Sequence, residues 1–285
     1  MIMENKRNLS TIEQLCFSTI RIEAKNDTSI STGTGFFFNF NIDGKTMPFI
    51  VTNKHVVRKM KEGTFFMTED DGNNFPLYTQ HVRITTTDFE DAWLMHPDNN
   101  IDLCVMSITY SLNFALEHLH KHLFFKAFED KLIPSQEQLQ DIDIAEDILM
   151  IGYPNGLWDS IHNMPIVRRG ITATDINLCH NGKREFVIDA ACFPGSSGSP
   201  IILYNKGQYS DKHGNINIGQ SRMYLLGILW GGPQQTIQGD LKVEVIPTSY
   251  QKVYSETQVL INLGYVIQSS VLRDFVPLIK DRYRL

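Results

Sequence analysis

Short runs of apolar residues alternate along this chain with Gly, Asn, Asp and Pro. Such runs are typical of β-strands, because helices need longer stretches with a period of about 3.6 residues. The predicted strands lie at residues 20–22, 36–40, 49–51, 64–67, 82–86, 103–108, 148–153, 170–174, 186–188, 201–204, 224–229 and 265–267. Many short strands with turns between them predict an all-β protein built from barrels or sandwiches.

One connection between the predicted strands departs from this pattern. Apolar residues recur there at helical spacing, which predicts an amphipathic helix lying against the strands. Its apolar positions are Leu112, Ala115, Leu116, Leu119 and Leu123. Residues 135–147, which follow, are polar and acidic and predict an exposed loop.

A second short helix is predicted near the C-terminus, with Ser270 as its N-cap. Pro277 is expected to limit this helix, because a proline in a helix interior costs about 3 kcal/mol. The apolar positions expected to face the core are Val271, Leu272, Phe275 and Val276.

Composition restricts the class of partner. With 285 residues, 42% of them hydrophobic, the chain can bury a large core as one domain or as two half-domains. The net charge is −6 and there is no long basic run, so nucleic acid and anionic membrane surfaces are poor partners. A peptide or protein substrate fits this charge more easily.

The N-terminus lacks the apolar core of a secretory signal, and no apolar stretch of about 18 residues could span a bilayer. A cytoplasmic protein is therefore expected. The four cysteines lie mostly within apolar runs and lack metal-type spacing, which predicts reduced thiols packed in the core. They are Cys16, Cys104, Cys179 and Cys192.

Residues 193–200 (FPGSSGSP) place Ser197 between two glycines in a predicted turn. Gly195 and Gly198 can adopt backbone angles closed to other residues, and such a turn can expose a hydroxyl while aiming backbone N–H groups at one point. An acyl-transfer nucleophile requires this arrangement. On its own the segment is equally typical of an ordinary loop.

Two further segments carry candidate partners for this serine. His55 lies where an apolar strand breaks into a turn or short helix, and Asp102 lies at the start of another apolar strand. Taken singly, His55 could be a loop histidine and Asp102 a strand-end cap. The order histidine, aspartate, serine is that of one form of the catalytic triad, and together with the flanking strands it favours catalysis.

With these residues the chain resembles the trypsin-like serine peptidases, and within that family the bacterial HtrA/Deg branch. The resemblance spans nearly the whole chain in family order. The matching segments are residues 33–36 (GTGF), 52–57 (TNKHVV), 101–105 (IDLCV), 151–156 (IGYPNG), 189–195 (DAACFPG), 227–232 (GILWGG) and 263–267 (LGYVI).

The resemblance implies two six-stranded antiparallel Greek-key β-barrels with the catalytic residues in the cleft between them. Residues 1–110 would form the first half, with His55 and Asp102, and residues 148–285 the second half, with Ser197 and a closing helix. Residues 111–147 would be a helical and loop connection. Relatives of the HtrA/Deg branch commonly add a PDZ domain after the closing helix, whereas this chain stops at Leu285.

The resemblance also implies roles in the chemistry. His55 would act as general base, Asp102 would orient it, and the backbone N–H groups of Gly195 and Ser197 would form the oxyanion hole. Ser196 stands where trypsin has an aspartate that pairs with a newly cut N-terminus, so this form of activation is absent. The segment 161–169, or an activating partner protein, is then expected to control whether the oxyanion hole forms.

Substrate contacts follow from the same resemblance. Leu229, Trp230 and Gly231 resemble the strand that pairs with substrate backbone by edge addition. Ala191 stands where trypsin has its acidic pocket base, so an apolar side chain of small to medium size is the expected occupant. Cys192 and Phe193 would line the pocket wall.

The sequence therefore predicts a serine endopeptidase that acts through an acyl-enzyme and needs no cofactor. The main alternative is a catalytically silent module of the same fold that binds an extended peptide, and an esterase is a weaker one. His118, His120 and His122 invite a metal hypothesis, but no carboxylate or cysteine stands with them at ligand spacing, so no metal site is predicted.

Overall fold

The computed structural model describes residues 8–240, 254–260 and 262–284. The first half of the chain is dominated by β-strands, as the alternation of apolar runs and turns predicts. They are β1 (Thr19–Lys25), β2 (Ile30–Ile42), β3 (Lys45–Thr52), β4 (Glu62–Asp70), β5 (Pro76–Thr87), β6 (Leu94–Met95), β7 (Cys104–Ser107), β8 (Leu123–Phe124) and β9 (Phe128–Glu129).

The second half is also built from strands. They are β10 (Asp147–Gly152), β11 (Ile166–Thr172), β12 (Glu185–Asp189), β13 (Pro200–Asn205), β14 (Gln208–Ser210), β15 (Ile216–Ile218), β16 (Arg222–Gly231), β17 (Gln234–Asp240), β18 (Tyr254–Leu260) and β19 (Leu263–Gln268).

Helices in the described residues are short and connect or cover the strands. The α-helices are α1 (Thr11–Cys16), α2 (Lys54–Val57), α3 (Thr109–Leu119), α4 (Gln136–Gln140) and α5 (Phe275–Tyr283). The 3-10 helices are Glu90–Ala92, Asp130–Leu132, Pro154–Gly156, His180–Gly182 and Ser269–Asp274. Within the part of the chain that the structure describes, no helix combines the length and apolar character needed to cross a membrane.

The predicted all-β architecture is confirmed. In the second half, six strands close into a barrel in the order β10-β11-β12-β19-β16-β13. In the first half, nine strands form one sheet with the path β5-β4-β1-β2-β3-β7-β6, and β8 and β9 pair with β4 and β2. The first half thus carries three more strands than the expected six, and two of them, β8 and β9, come from the connection after α3.

A single apolar cluster joins the two halves. It combines side chains of the first sheet, the barrel and α5, and burial of each large apolar side chain contributes about 1.5–3 kcal/mol. Its fully buried members include Phe36, Phe49, Val51, Ile151, Ile202, Ile228, Phe275 and Ile279. Two further clusters lie within the first half and within the barrel. Because strand ends from both halves converge on the shared cluster, loops from both halves meet beside it.

The helix predicted in the connection is confirmed as α3, but its predicted apolar face is only partly buried. Ala115 is fully buried, whereas Leu116 and Leu119 are exposed. Leu123 lies outside the helix, in β8. Only part of the periodic pattern therefore faces the sheet.

Two predictions about helix ends are wrong. Ser270 caps no α-helix, because a 3-10 helix precedes α5, which begins at Phe275. Pro277 does not end α5, since it lies in the first turn, where a backbone N–H has no partner within the helix. The expected loop at 135–147 contains α4, whose capping box joins Ser135 and Gln138.

The four cysteines are free thiols, as predicted. Cys104 and Cys192 are buried, but Cys179 is exposed, so the prediction of a core thiol is wrong there. Burial raises the pKa of the Cys192 thiol to about 11, because desolvation disfavours the thiolate.

Candidate active site

His55 and Asp102 meet at the end of β3. The chain leaves this strand at Thr52 and turns into α2, which presents His55, while Asp102 precedes β7, the neighbour of β3. The Nδ1 atom of His55 lies 2.5 Å from Oδ2 of Asp102, and the backbone N–H of His55 donates to Oδ1 at 3.1 Å. Asn53 fixes the aspartate backbone, because its side-chain amide donates to the Asp102 carbonyl at 2.8 Å.

This geometry assigns the histidine tautomer. With Nδ1–H donating to the carboxylate, the other ring nitrogen, Nε2, is left as an acceptor. The His55 side chain is 48% exposed and that of Asp102 is 24% exposed. The carboxylate is therefore partly shielded, while the imidazole remains accessible to a bound molecule.

Ser197 lies in the predicted turn between Gly195 and Gly198. Both glycines have left-handed backbone angles, with φ of +83° and +87°. A Cβ atom at Gly198 would lie 1.9 Å from the carbonyl oxygen of Thr34, so only glycine fits this close approach. The turn is therefore pressed against the first half of the molecule.

The Ser197 hydroxyl does not hydrogen-bond to His55 in this structure. Its Oγ lies 3.5 Å from the carbonyl oxygen of Trp230, as a long hydrogen bond. The side chain therefore has to turn away from Trp230 before it can donate to Nε2 of His55.

Two backbone amides of the same turn have no acceptor within the described part of the chain. The Pro194 carbonyl accepts from the N–H of Asn155 at 2.6 Å. Because C=O and N–H point in opposite directions across a trans peptide, the Gly195 N–H points away from Asn155. Neither this N–H nor that of Ser197 finds an acceptor among the described residues. Paired free donors of this kind can bind an oxyanion.

Thr34, on β2, connects the turn to the rest of the site. Its hydroxyl donates to the Gly195 carbonyl at 2.9 Å and accepts from the Tyr153 N–H at 3.0 Å. Its backbone N–H donates to the Ser197 carbonyl at 2.9 Å, and its carbonyl accepts from the Thr52 hydroxyl at 2.7 Å. Since Thr52 lies three residues before His55, these bonds bring the serine turn and the histidine segment together.

The residues predicted for substrate recognition lie around this turn but in unlike environments. Cys192 and Leu229 are buried in the barrel core, Ala191 is half-buried, and Phe193 is 41% exposed. Trp230 is half-buried and stacks on Tyr265, with ring centroids 5.8 Å apart.

Gly231 ends β16 at an open edge. A Cβ atom built on Gly231 would meet no atom within 4 Å. On one side β16 pairs with β19 through Gly231, whereas the pairing with β13 on the other side stops at Ile228. The serine turn occupies the other side of Leu229, whose N–H donates to the Ser199 carbonyl at 3.0 Å and whose carbonyl accepts from the Gly198 N–H at 2.8 Å. The open side that could take an extended chain is therefore at Gly231.

Sequence reasoning missed four residues that support the site. Thr34, Lys54 and Asn155 lie in segments that match the family and Arg168 lies in the segment 161–169, but the sequence assigned no role to any of them. Lys54 precedes His55, is only 1% exposed, and donates from Nζ to the Asp98 carbonyl at 2.8 Å. Lysine is normally an exposed residue type, so a lysine between an apolar strand and a helix start is unusual. This position is the sequence signal that could have identified Lys54.

Comparison with protein families identifies one match. The profile of the family described as trypsin-like peptidase domain matches residues 33–209, which is more than half of the chain. No curated protein matches the chain at a significant level.

Among solved structures, three similar ones come from proteases or related proteins. Rv3671c of M. tuberculosis H37Rv, in an inactive form, shares 14% identity at a TM-score of 0.44, covering 93% of this chain and 87% of that one. A serine endoprotease from Yersinia pestis shares 15% identity at a TM-score of 0.46, covering 94% and 64%. The HtrA-type protease AlgW, with a tripeptide, shares 15% identity at a TM-score of 0.49, covering 93% and 62%.

Proposed function

The chain belongs to the trypsin-like peptidase family, and we propose that it is a serine endopeptidase with His55, Asp102 and Ser197 as its catalytic triad. The observation that carries this proposal is the 2.5 Å contact between His55 and Asp102, with Ser197 held in a turn that has two free amides. A hydrogen-bonded base and a nucleophile beside unoccupied donors are the parts that acyl transfer requires.

The proposed reaction begins when the Ser197 hydroxyl turns toward His55. As Oγ attacks the substrate carbonyl, Nε2 of His55 takes its proton and later gives it to the leaving amine. Asp102 accepts a hydrogen bond from Nδ1–H of His55 throughout and is not protonated. This bond holds the tautomer and stabilises the transient imidazolium. The acyl-enzyme is then hydrolysed by water, with His55 again acting as base.

The oxyanion hole is proposed to consist of the N–H groups of Gly195 and Ser197. Negative charge develops on the substrate oxygen only as the tetrahedral intermediate forms, so donors fixed in advance stabilise the transition state more than the bound substrate. In other serine proteases, loss of one such donor lowers kcat about 100- to 1000-fold. The bond from Asn155 to Pro194 supports this orientation of the Gly195 amide.

Cleavage is proposed to follow apolar residues of small or medium size. Ala191 at the expected pocket base carries no carboxylate that would attract Lys or Arg. The open end of β16 at Gly231 provides backbone groups for an extended substrate, in the manner of an added strand. Peptides and proteins are therefore the proposed substrates.

A second candidate function is a catalytically silent module that binds an extended peptide along Leu229–Gly231. The specific observation in its favour is the Ser197 hydroxyl, which points to Trp230 and makes no hydrogen bond to His55. If this arrangement persisted with peptide bound, the serine would not be activated.

A fluorophosphonate distinguishes the two candidates, because it phosphonylates only an activated serine. We expect labelling of the wild-type chain at Ser197, loss of labelling in Ser197→Ala, and retention in Ser199→Ala. Ser199 is a matched control, since its buried hydroxyl has no hydrogen-bond partner among the described residues. Absence of wild-type labelling under all conditions would support the binding module.

Digestion of a peptide library tests the proposed specificity. We expect cleavage after Ala, Val or Leu and none after Lys or Arg. Predominant cleavage after a basic residue would refute the assignment of Ala191 to the pocket base.

We further propose that an activating partner acts on the segment 161–169. Supporting this, Ile161 is 66% exposed and Leu157, just before the segment, is 61% exposed. Exposed apolar side chains beside a loop that reaches the serine turn provide a surface on which a second protein could act.

A further inference from the structure

A half-buried arginine contacts the serine turn. Arg168 lies on β11, opposite Met150 of β10, and its side chain reaches the segment 191–196. Its Nη2 donates to the Ser196 hydroxyl at 2.7 Å, and its Nη1 donates to the Ala191 carbonyl. Ser196 is fully buried, so this contact is shielded from solvent.

Among the residues that the structure describes, Arg168 has no counter-ion. No carboxylate of the described residues forms an ion pair with it, and its Nε atom is buried without an acceptor. Desolvation accordingly lowers the pKa of the guanidinium from its ordinary value. Partial removal of a guanidinium from water costs free energy, which its two neutral acceptors offset less than a carboxylate would. Stability alone therefore does not explain an arginine here.

The two acceptors of Arg168 lie at the two ends of one functional segment. Ala191 marks the proposed pocket base, and Ser196 lies between the two residues of the proposed oxyanion hole. Within the segment, the Ser196 N–H donates to the Phe193 carbonyl at 3.0 Å, and the Phe193 N–H contacts the Ser196 hydroxyl at 3.4 Å. The Arg168 guanidinium thus hydrogen-bonds to both ends of the segment 191–196.

We propose that Arg168 is a positioning residue that holds the 191–196 turn with the Gly195 N–H facing the substrate. This inference rests on the proposed function of that turn. The turn is thus held by a cation and two neutral acceptors, one at each end of the segment.

Variants of Arg168 separate hydrogen bonding from charge. We expect Arg168→Met to lower kcat about 10- to 100-fold with little change in KM, because the hole acts on the transition state rather than on bound substrate. Arg168→Lys retains the charge and Arg168→Gln retains a donor, so each should lose less. The matched control is Arg169→Met, since Arg169 is 71% exposed and pairs with Asp147 at the surface.

A double-mutant cycle identifies Ser196 as the partner. Ser196→Asp places a carboxylate opposite the guanidinium, so removal of Arg168 should lower kcat further in this background than in the wild type. Equal losses in both backgrounds would show that the two side chains do not interact.

Amide hydrogen exchange provides a readout that does not depend on catalysis. We expect the peptide containing residues 191–198 to exchange at least about 10-fold faster in Arg168→Met than in Arg169→Met, with other peptides unchanged. Unchanged exchange would overturn the positioning role, whatever happens to kcat. If Arg168→Met does not fold, Arg168→Lys gives the same comparison.

The two proposals can fail separately. If the wild type is not labelled by fluorophosphonate but exchange in 191–198 accelerates, the catalytic proposal fails and Arg168 remains the anchor of the turn. If the wild type is labelled and Arg168→Met shows normal kcat and normal exchange, only the inference about Arg168 is overturned.

Discussion

Thr34 connects the serine turn to the histidine segment. Its hydroxyl and backbone form hydrogen bonds with the turn at Gly195 and Ser197 and with Thr52, which precedes His55. Thr34→Val keeps the shape of the side chain but leaves the Gly195 carbonyl and the Tyr153 N–H without partners. Each such buried unsatisfied group costs about 1–3 kcal/mol of stability. We expect a comparable loss in the free energy of unfolding and a lower kcat, measured by urea unfolding and peptide hydrolysis.

Two variants control this prediction. Thr34→Ser retains the hydroxyl and should recover most of the activity. Thr32→Val makes the same chemical change on the same strand at a residue whose hydroxyl makes no hydrogen bond with the described residues. A loss in Thr32→Val equal to that in Thr34→Val would contradict the role assigned to the Thr34 bonds.

Lys54 predicts a pH dependence of stability. Burial lowers the pKa of its ammonium below the ordinary value of 10.5, because desolvation disfavours the charged form. Below the folded-state pKa both states are protonated and the full cost of burying the charge is present. As pH rises from that value toward 10.5, the folded state releases its proton first and the cost declines.

The wild type should therefore gain stability relative to Lys54→Met as pH rises through this alkaline window. The measurement is the difference in free energy of unfolding between the two proteins from pH 7 to pH 10.5. Lys61→Met is the control, because the Lys61 side chain is 67% exposed. A difference that stays constant with pH would mean that Lys54 titrates normally.

At the scale of elements, strands were easier to predict than helices. The short apolar runs and the turn residues between them are local signals, whereas the buried face of α3 depends on what lies beneath it. Leu116 and Leu119 fit the helical period but remain exposed. Helix α4 has a capping box that the sequence contains, yet its five residues are too few to produce a periodic signal.

The C-terminal helix α5 is expected to contribute to stability through one buried face. Ile279 is fully buried in the cluster shared by both halves. Ile279→Ala should lower the free energy of unfolding by about 2–5 kcal/mol, because it removes apolar contacts and leaves a cavity. Chemical denaturation measures this loss.

Lys280→Ala is the control on the same helix. Lys280 forms a surface ion pair with Asp43, with side chains 39% and 63% exposed, and such pairs contribute about 0–1 kcal/mol. Equal losses in the two variants would mean that α5 is held by its surface contacts and not by the shared cluster.

For the whole molecule, the shared cluster predicts that the two halves unfold together. Ile202 and Ile228 of the barrel pack in the same cluster as Phe36 and Val51 of the first sheet. We expect one calorimetric transition, with equal calorimetric and van't Hoff enthalpies. Two resolved transitions would show that the halves are independently stable.

This cooperativity matters for the candidate site, because His55 and Ser197 come from different halves. A destabilising change in the shared cluster should therefore lower activity and stability in parallel. Ile279→Ala, far along the chain from either residue, is expected to lose labelling by fluorophosphonate at the same temperature at which it unfolds.

The sequence by itself determined the all-β class, the order of histidine, aspartate and serine, and the glycine positions of the serine turn. These features rest on residue type, spacing and local backbone freedom, which a linear chain contains in full. It also determined the family, since the matched segments lie in one order along the chain.

Only the tertiary structure decided how the turn is held. The bonds of Thr34 to Gly195 and of Arg168 to Ser196 join residues far apart in the chain, and neither partner carries a local signal of the other. The direction of the Ser197 hydroxyl and the burial of Lys54 were likewise decided by packing. The physical reason is that hydrogen bonds and burial depend on which surfaces are brought together, and this is fixed when the two halves close around their common core.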